Sequence, residues 1–177
     1  HREPDRTPFF EYVLQSPVAD HFLGHRYAYG EYWDELVREK GWEPALRQLA
    51  RDVVSLAKTL GHDLVYVHAQ ASPVKQPGPR PPPAPTFSDP AEDLAWHVAR
   101  AEESFAPLPD EPYQIFHLVR QEMERAGLDL PILAPAYAHG IWTNTVLMQT
   151  MALEPDVAHR HFALATKRAL LIVEKYV

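Results

Sequence analysis

Leu130-Pro131-Ile132-Leu133-Ala134-Pro135-Ala136-Tyr137-Ala138-His139-Gly140-Ile141-Trp142 sets the expected architecture of the chain. An apolar run comes first. A turn holding His139 and Gly140 breaks it, and a long helical pattern follows through Met151 towards Val177. Strand, loop and helix in that order make a βα unit. In parallel α/β proteins the carboxyl end of such a strand is where chemistry sits.

Two other stretches have the character of buried strands. Thr7-Pro8-Phe9-Phe10-Glu11-Tyr12-Val13-Leu14 is apolar and aromatic, and Asp63-Leu64-Val65-Tyr66-Val67-His68 is rich in β-branched residues. Helical patterns lie between the strands. Ser16-Pro17 starts a short one that Gly24 ends, and a polar one runs from Glu31 to Lys40. From Glu43 to Leu60 the residues Leu46, Leu49, Val53, Leu56 and Leu60 fall on one stripe, with Gly61 as the stop. Asp89-Pro90-Ala91-Glu92 and Asp110-Glu111-Pro112 start two more, and Glu154-Pro155-Asp156 starts the last. Residues 73–86 differ in kind. Their prolines allow neither helix nor ladder, so they form a surface loop.

Composition narrows the classes. The chain has 177 residues, enough for one domain and hardly two. A formal net charge of −7 argues against a dedicated nucleic-acid binder, which carries a basic face. No polybasic or amphipathic membrane signature and no apolar run of ~18 residues or more appears, so a cytoplasmic protein is expected. With no cysteine, any metal would need histidine and carboxylate ligands.

A short echo links the two later strands. Leu60-Gly61-His62-Asp63-Leu64-Val65 and Ala126-Gly127-Leu128-Asp129-Leu130-Pro131 share the order helix, glycine, spacer, aspartate, strand. Repeated βα units imply parallel strands joined by amphipathic crossover helices. Three strands are too few for a full (β/α)8 barrel, which takes roughly 250 residues. The expected fold is therefore α/β, the first half of such a barrel, with residues 1–177 as one part of a larger domain. A fragment, or a chain completed by a partner or a second copy, is the corresponding expectation.

Glu11, His68 and His139 each fall at or just after the carboxyl end of an expected strand, and in a barrel those ends share one mouth. Two imidazoles and a carboxylate there are suited to proton transfer or to a metal. Taken singly, each reads better as a solvated rim residue; the convergence of three such ends makes the two readings about even. Tyr66, Tyr137, Trp142 and Asn144 are candidates to shape an apolar pocket, although Trp142 and Tyr66 serve as readily in a core. His159 and His161 fall on opposite sides of a helix and do not share a metal. No phosphate-binding glycine loop or nucleophile elbow is present.

Three places in the chain resemble the uroporphyrinogen decarboxylase superfamily, which includes corrinoid-dependent methyltransferases. Asp5-Arg6-Thr7-Pro8 is similar to the family's opening "D-R-x-P". Gly61-His62-Asp63-Leu64-Val65-Tyr66 is similar to its second strand entry. Pro131-Ile132-Leu133-Ala134-Pro135, His139-Gly140-Ile141-Trp142-Thr143 and Glu154-Pro155-Asp156-Val157-Ala158-His159 resemble a strand, a turn and a helix start near the barrel's midpoint. The decarboxylases' "R-Q-A-G-R" segment has no counterpart, and Ala69-Gln70-Ala71-Ser72 stands where they carry an aspartate.

The resemblance therefore implies a methyltransferase, moving a methyl group between a small methylated donor, a corrinoid and a thiol or corrinoid acceptor. It also implies zinc and a corrinoid as cofactors and a corrinoid protein as a partner. Decarboxylation of a tetrapyrrole precursor is the alternative within the family, and it demands a cationic cleft. A non-catalytic half-barrel that binds a partner is the alternative outside it. A metal hydrolase built from histidine and carboxylate is a further one.

Overall fold

A computed structural model describes residues 6–12, 14–70, 85–136 and 144–176. In chain order its elements are α1 (Ser16–Leu23), α2 (Glu31–Lys40), α3 (Trp42–Leu60), β1 (Val65–Tyr66), α4 (Pro90–Glu103), a 3-10 turn (Glu111–Tyr113), α5 (Gln114–Ala126), β2 (Ile132–Leu133), α6 (Thr145–Leu153) and α7 (Pro155–Glu174). The chain divides into two compact units. The first is His1–Gln76 with Asp110–Pro135, and the second is Pro77–Pro109 with Ala136–Val177.

The expected half-barrel is not what the chain forms. The described residues are mainly helical, and their sheet holds two strands of two residues each. Those two strands are parallel, with Val65 opposite Ile132 and Tyr66 opposite Leu133. Val65 N–H donates to Pro131 O and Val67 N–H to Leu133 O, each at 3.0 Å. The expected first strand is absent. Pro8 has no N–H for a ladder. The Phe9 N–H donates to the Asp63 carboxylate at 2.7 Å, where a strand would use a backbone carbonyl. Aromatic residues are present there, but the Phe9 N–H goes to a side chain, and its carbonyl takes one backbone N–H, from Asp63.

The core of the first unit is the packing of α3 on α5. Leu46, Leu49 and Val54 of α3 and Ile115, Val119 and Met123 of α5 are buried together with Val65 and Val67. Both helices end on a glycine in the left-handed region, Gly61 at φ 69° and Gly127 at φ 67°. That conformation is free for glycine and strained for other residues. Each glycine turns its chain into the strand that follows, so the sequence echo is a repeated helix-to-strand turn feeding neighbouring parallel strands. Asp52, 3% exposed, accepts the Ala28 N–H at 3.0 Å and lies 2.9 Å from His25 Nε2. It thereby ties the α1–α2 connection to α3. Burial pushes its carboxyl above the ordinary range, and its bonds to His25 and Ala28 partly oppose that.

The second unit is a small helical assembly built on Leu94, Val98, Leu147 and Ala158. Asp89 caps α4, accepting the Ala91 N–H at 2.8 Å, as its capping signal predicts. Pro155 cannot continue α6 and instead opens α7, so the last helix starts at the expected Glu154-Pro155-Asp156 signal. No helix among the described residues is long and apolar enough to cross a membrane.

Candidate functional site

The site is built from the amino-terminal segment inwards. Arg6 Nη2 donates to Asp63 Oδ1 at 2.5 Å, and Asp63 Oδ2 takes the Phe9 N–H. The Asp63 N–H returns a bond to Phe9 O at 2.8 Å. One carboxylate thus clamps residues 6–9 against the entry to β1. The clamp joins two of the three places that carry the family resemblance. It also sets the position of the next residues, Glu11 and Tyr12. The Tyr66 hydroxyl donates to the Tyr12 hydroxyl at 3.2 Å, and the two rings sit 4.4 Å apart.

A cleft of about 60 Å³ runs beside β1 from His62 to Gln70. Its walls include Glu11, Tyr12, Tyr27, Tyr29, Tyr66 and His68, and its floor is apolar, from Leu49, Val53 and Leu56 of α3. Glu11 and His68, expected to share a mouth, therefore line one cleft, and so does Tyr66. His139, Tyr137 and Trp142 lie outside the described residues. Asn144 belongs to the second unit. Its side chain caps α6, accepting the Leu147 N–H at 2.9 Å, and it borders a separate cavity between α4 and α7.

His68 is held from two sides. The Gln70 amide nitrogen lies 3.0 Å from Nδ1 and 3.2 Å from the His68 carbonyl, and the Tyr29 hydroxyl lies 3.1 Å from Nε2. An amide nitrogen donates only, so Nδ1 accepts, and in the neutral ring Nε2–H donates to Tyr29. The Ala69 carbonyl, at 3.3 Å from Nδ1, is the more distant contact. In this arrangement the Tyr29 hydroxyl keeps its own proton to offer a ligand. Gln70 is 8% exposed and fixed further by its N–H to Pro112 O at 2.9 Å. Tyr27 stacks on Tyr29 at 5.5 Å, and burial raises its hydroxyl pKa so that it stays protonated.

His62 supplies a buried Nε2 with no hydrogen-bond partner among the described residues. Its ring meets Phe9 edge-on at 5.3 Å. Burial lowers its pKa, against the opposing pull of Glu11 and Asp63, so the ring favours the neutral form.

Sequence reasoning missed Tyr12, Tyr27, Tyr29, His62 and Gln70. Tyr27 and Tyr29 come from the α1–α2 connection, where no periodicity marks them, and Gln70 stands next to a residue that was singled out. Among the described residues, no group of three or more histidines, aspartates and glutamates is placed to hold a metal. Scans against known protein families, curated proteins and solved structures return no match to this chain.

Proposed function

We propose that the chain belongs to a protein of the uroporphyrinogen decarboxylase superfamily, and that the cleft of the first unit holds a small methylated donor for methyl transfer. The observation that carries this reading is the Arg6–Asp63 clamp with Phe9, which brings two motifs of the resemblance together and sets Glu11 and Tyr12 in one cleft with Tyr66 and His68. The acceptor is a thiol, or a corrinoid carried by a partner protein. In the transfer, the methyl carbon bonds to the acceptor nucleophile while its bond to the donor heteroatom breaks. The electron pair leaves with the heteroatom. Where the donor is neutral, that heteroatom needs a proton, and the Tyr29 hydroxyl backed by His68 and Gln70 is in place to supply it.

The lining favours this over the tetrapyrrole reading. Among the described residues it holds no lysine or arginine, so a substrate rich in carboxylates would meet no cationic partner from them. The test is methyl transfer by the protein from a panel of methylated amines, alcohols and thiols to a thiol acceptor, with and without a corrinoid protein. Product methyl thioether is the expected result. Turnover of uroporphyrinogen with no methyl transfer from any donor would reverse the assignment.

A further inference from the structure

Four phenol rings stand around one small space. Tyr12 and Tyr66 form one wall, with ring centroids 4.4 Å apart, and Tyr27 and Tyr29 form another at 5.5 Å. His68 joins the walls, 5.6 Å from Tyr29 and 6.3 Å from Tyr66. Among the described lining residues, Glu11 is the one Asp, Glu, Lys or Arg side chain. Arg6, the nearest arginine in sequence, is already engaged by Asp63 and is not in the lining.

Aromatic faces carry negative charge density, and a cation seated against them is attracted, more so when water is displaced. A carboxylate at the rim adds to that attraction. The opposite ligand, an anion, would meet ring faces and a like charge. A neutral hydrocarbon would fit the floor but gain nothing from Glu11. The cleft, of about 60 Å³ and open at its mouth, suits a single compact head group, with any longer substituent left outside.

From this we infer that the cleft of the first unit is an aromatic cage for the methylated ammonium group of a small molecule. The geometry stands by itself, and the role of that group as methyl donor rests on the function proposed above. An ammonium donor leaves as a neutral amine and needs no proton, so ring placement, not proton delivery, is then the task of the His68–Tyr29 bond. Burial disfavours protonation of His62, which keeps a competing cation out of the lining.

The experiment is calorimetric titration of the full chain with choline and with its neutral isostere 3,3-dimethyl-1-butanol, alongside a peptide bearing trimethyl-lysine. Choline should bind about tenfold or more tightly than the isostere. Tyr66→Phe, which keeps the ring, should retain choline affinity. Tyr66→Leu should weaken it about fivefold or more and leave the isostere unchanged. Tyr12→Leu, at a half-exposed position, repeats the test if Tyr66→Leu does not fold. Glu11→Gln should weaken choline alone.

Equal affinity for choline and the isostere would overturn the cage, as would loss of choline binding in Tyr66→Phe together with retention in Tyr66→Leu. Binding of the trimethyl-lysine peptide with none of choline would overturn the small-molecule assignment. The two proposals fail separately. Choline binding without methyl transfer to any acceptor leaves the cage and removes the transfer, and transfer from neutral donors with no choline binding does the reverse.

Discussion

Replacing Asp63 with alanine tests how the cleft is assembled. The carboxylate accepts two bonds, from Arg6 Nη2 at 2.5 Å and from the Phe9 N–H at 2.7 Å. Their worth differs. A backbone N–H donating to a charged acceptor contributes about 1.5–3 kcal/mol. The Arg6 pair contributes about 0–1 kcal/mol, because Arg6 is 56% exposed and water screens it. Asp63 is itself 31% exposed, so the lower ends apply, and Asp63→Ala should weaken the docking of residues 6–12 by about 1.5 kcal/mol.

Amide hydrogen exchange reads that quantity directly, since local opening sets protection. Protection of the Phe9 amide should fall about tenfold, taking 1.36 kcal/mol per factor of ten. Amides of α3 and α5 should keep theirs, because the segment undocks without unfolding the core. Asp63→Asn retains an acceptor for Phe9 and should lose under about 1 kcal/mol, the share of the Arg6 pair. Unchanged Phe9 protection in Asp63→Ala, or an equal fall throughout the core, would refute the clamp.

Three other outcomes follow from the fold. Burial raises the Asp52 carboxyl in the folded state, so the native protein holds that proton to higher pH than the unfolded chain does; native stability then declines as pH rises from the ordinary carboxyl value of 3.8 through the raised one. Asp52→Asn cannot ionise, and denaturant titrations at stepped pH should show the balance moving towards the variant as pH rises; movement towards the native protein contradicts the burial argument. Asn144→Ala removes the α6 cap and should lose about 1 kcal/mol, seen as faster exchange of the Leu147 amide. Leu46→Ala empties a fully buried site against α5 and should lose about 2–5 kcal/mol in chemical denaturation, and a loss below about 1 kcal/mol would contradict the packing described.

The helices were legible because their signals are local. The α3 stripe, the caps at Asp89 and the glycine stops at Gly61 and Gly127 each act within a few residues, and each stands where its chemistry placed it. Strand extent was not legible. Phe9, Phe10 and Tyr12 have the composition of a strand, yet the Phe9 amide is taken by a carboxylate 54 residues away, and composition carries no record of that partner. The parallel pairing of the two later strands follows from the repeated helix–glycine–aspartate turn, but their ladder is only two residues long. At the cleft, position after a strand brought His68 to notice, while Tyr66 belongs to β1 itself. The N-cap of α6 drew attention as a pocket residue because a polar side chain after a turn reads the same in either role. Tyr29 and Gln70 needed coordinates, since they are joined to His68 through space from a loop and from a neighbour with no pattern of its own.

The cleft itself can be interrogated by nuclear Overhauser contacts between the N-methyl protons of choline and the protein, recorded at saturating ligand with assigned tyrosine rings. Contacts to the ring protons of Tyr12, Tyr29 and Tyr66 are predicted, and they should vanish for Tyr12 when Asp63 is replaced by alanine. Contacts confined to residues outside this group, or none at a concentration ten times that which saturates the calorimetric signal, would contradict the account.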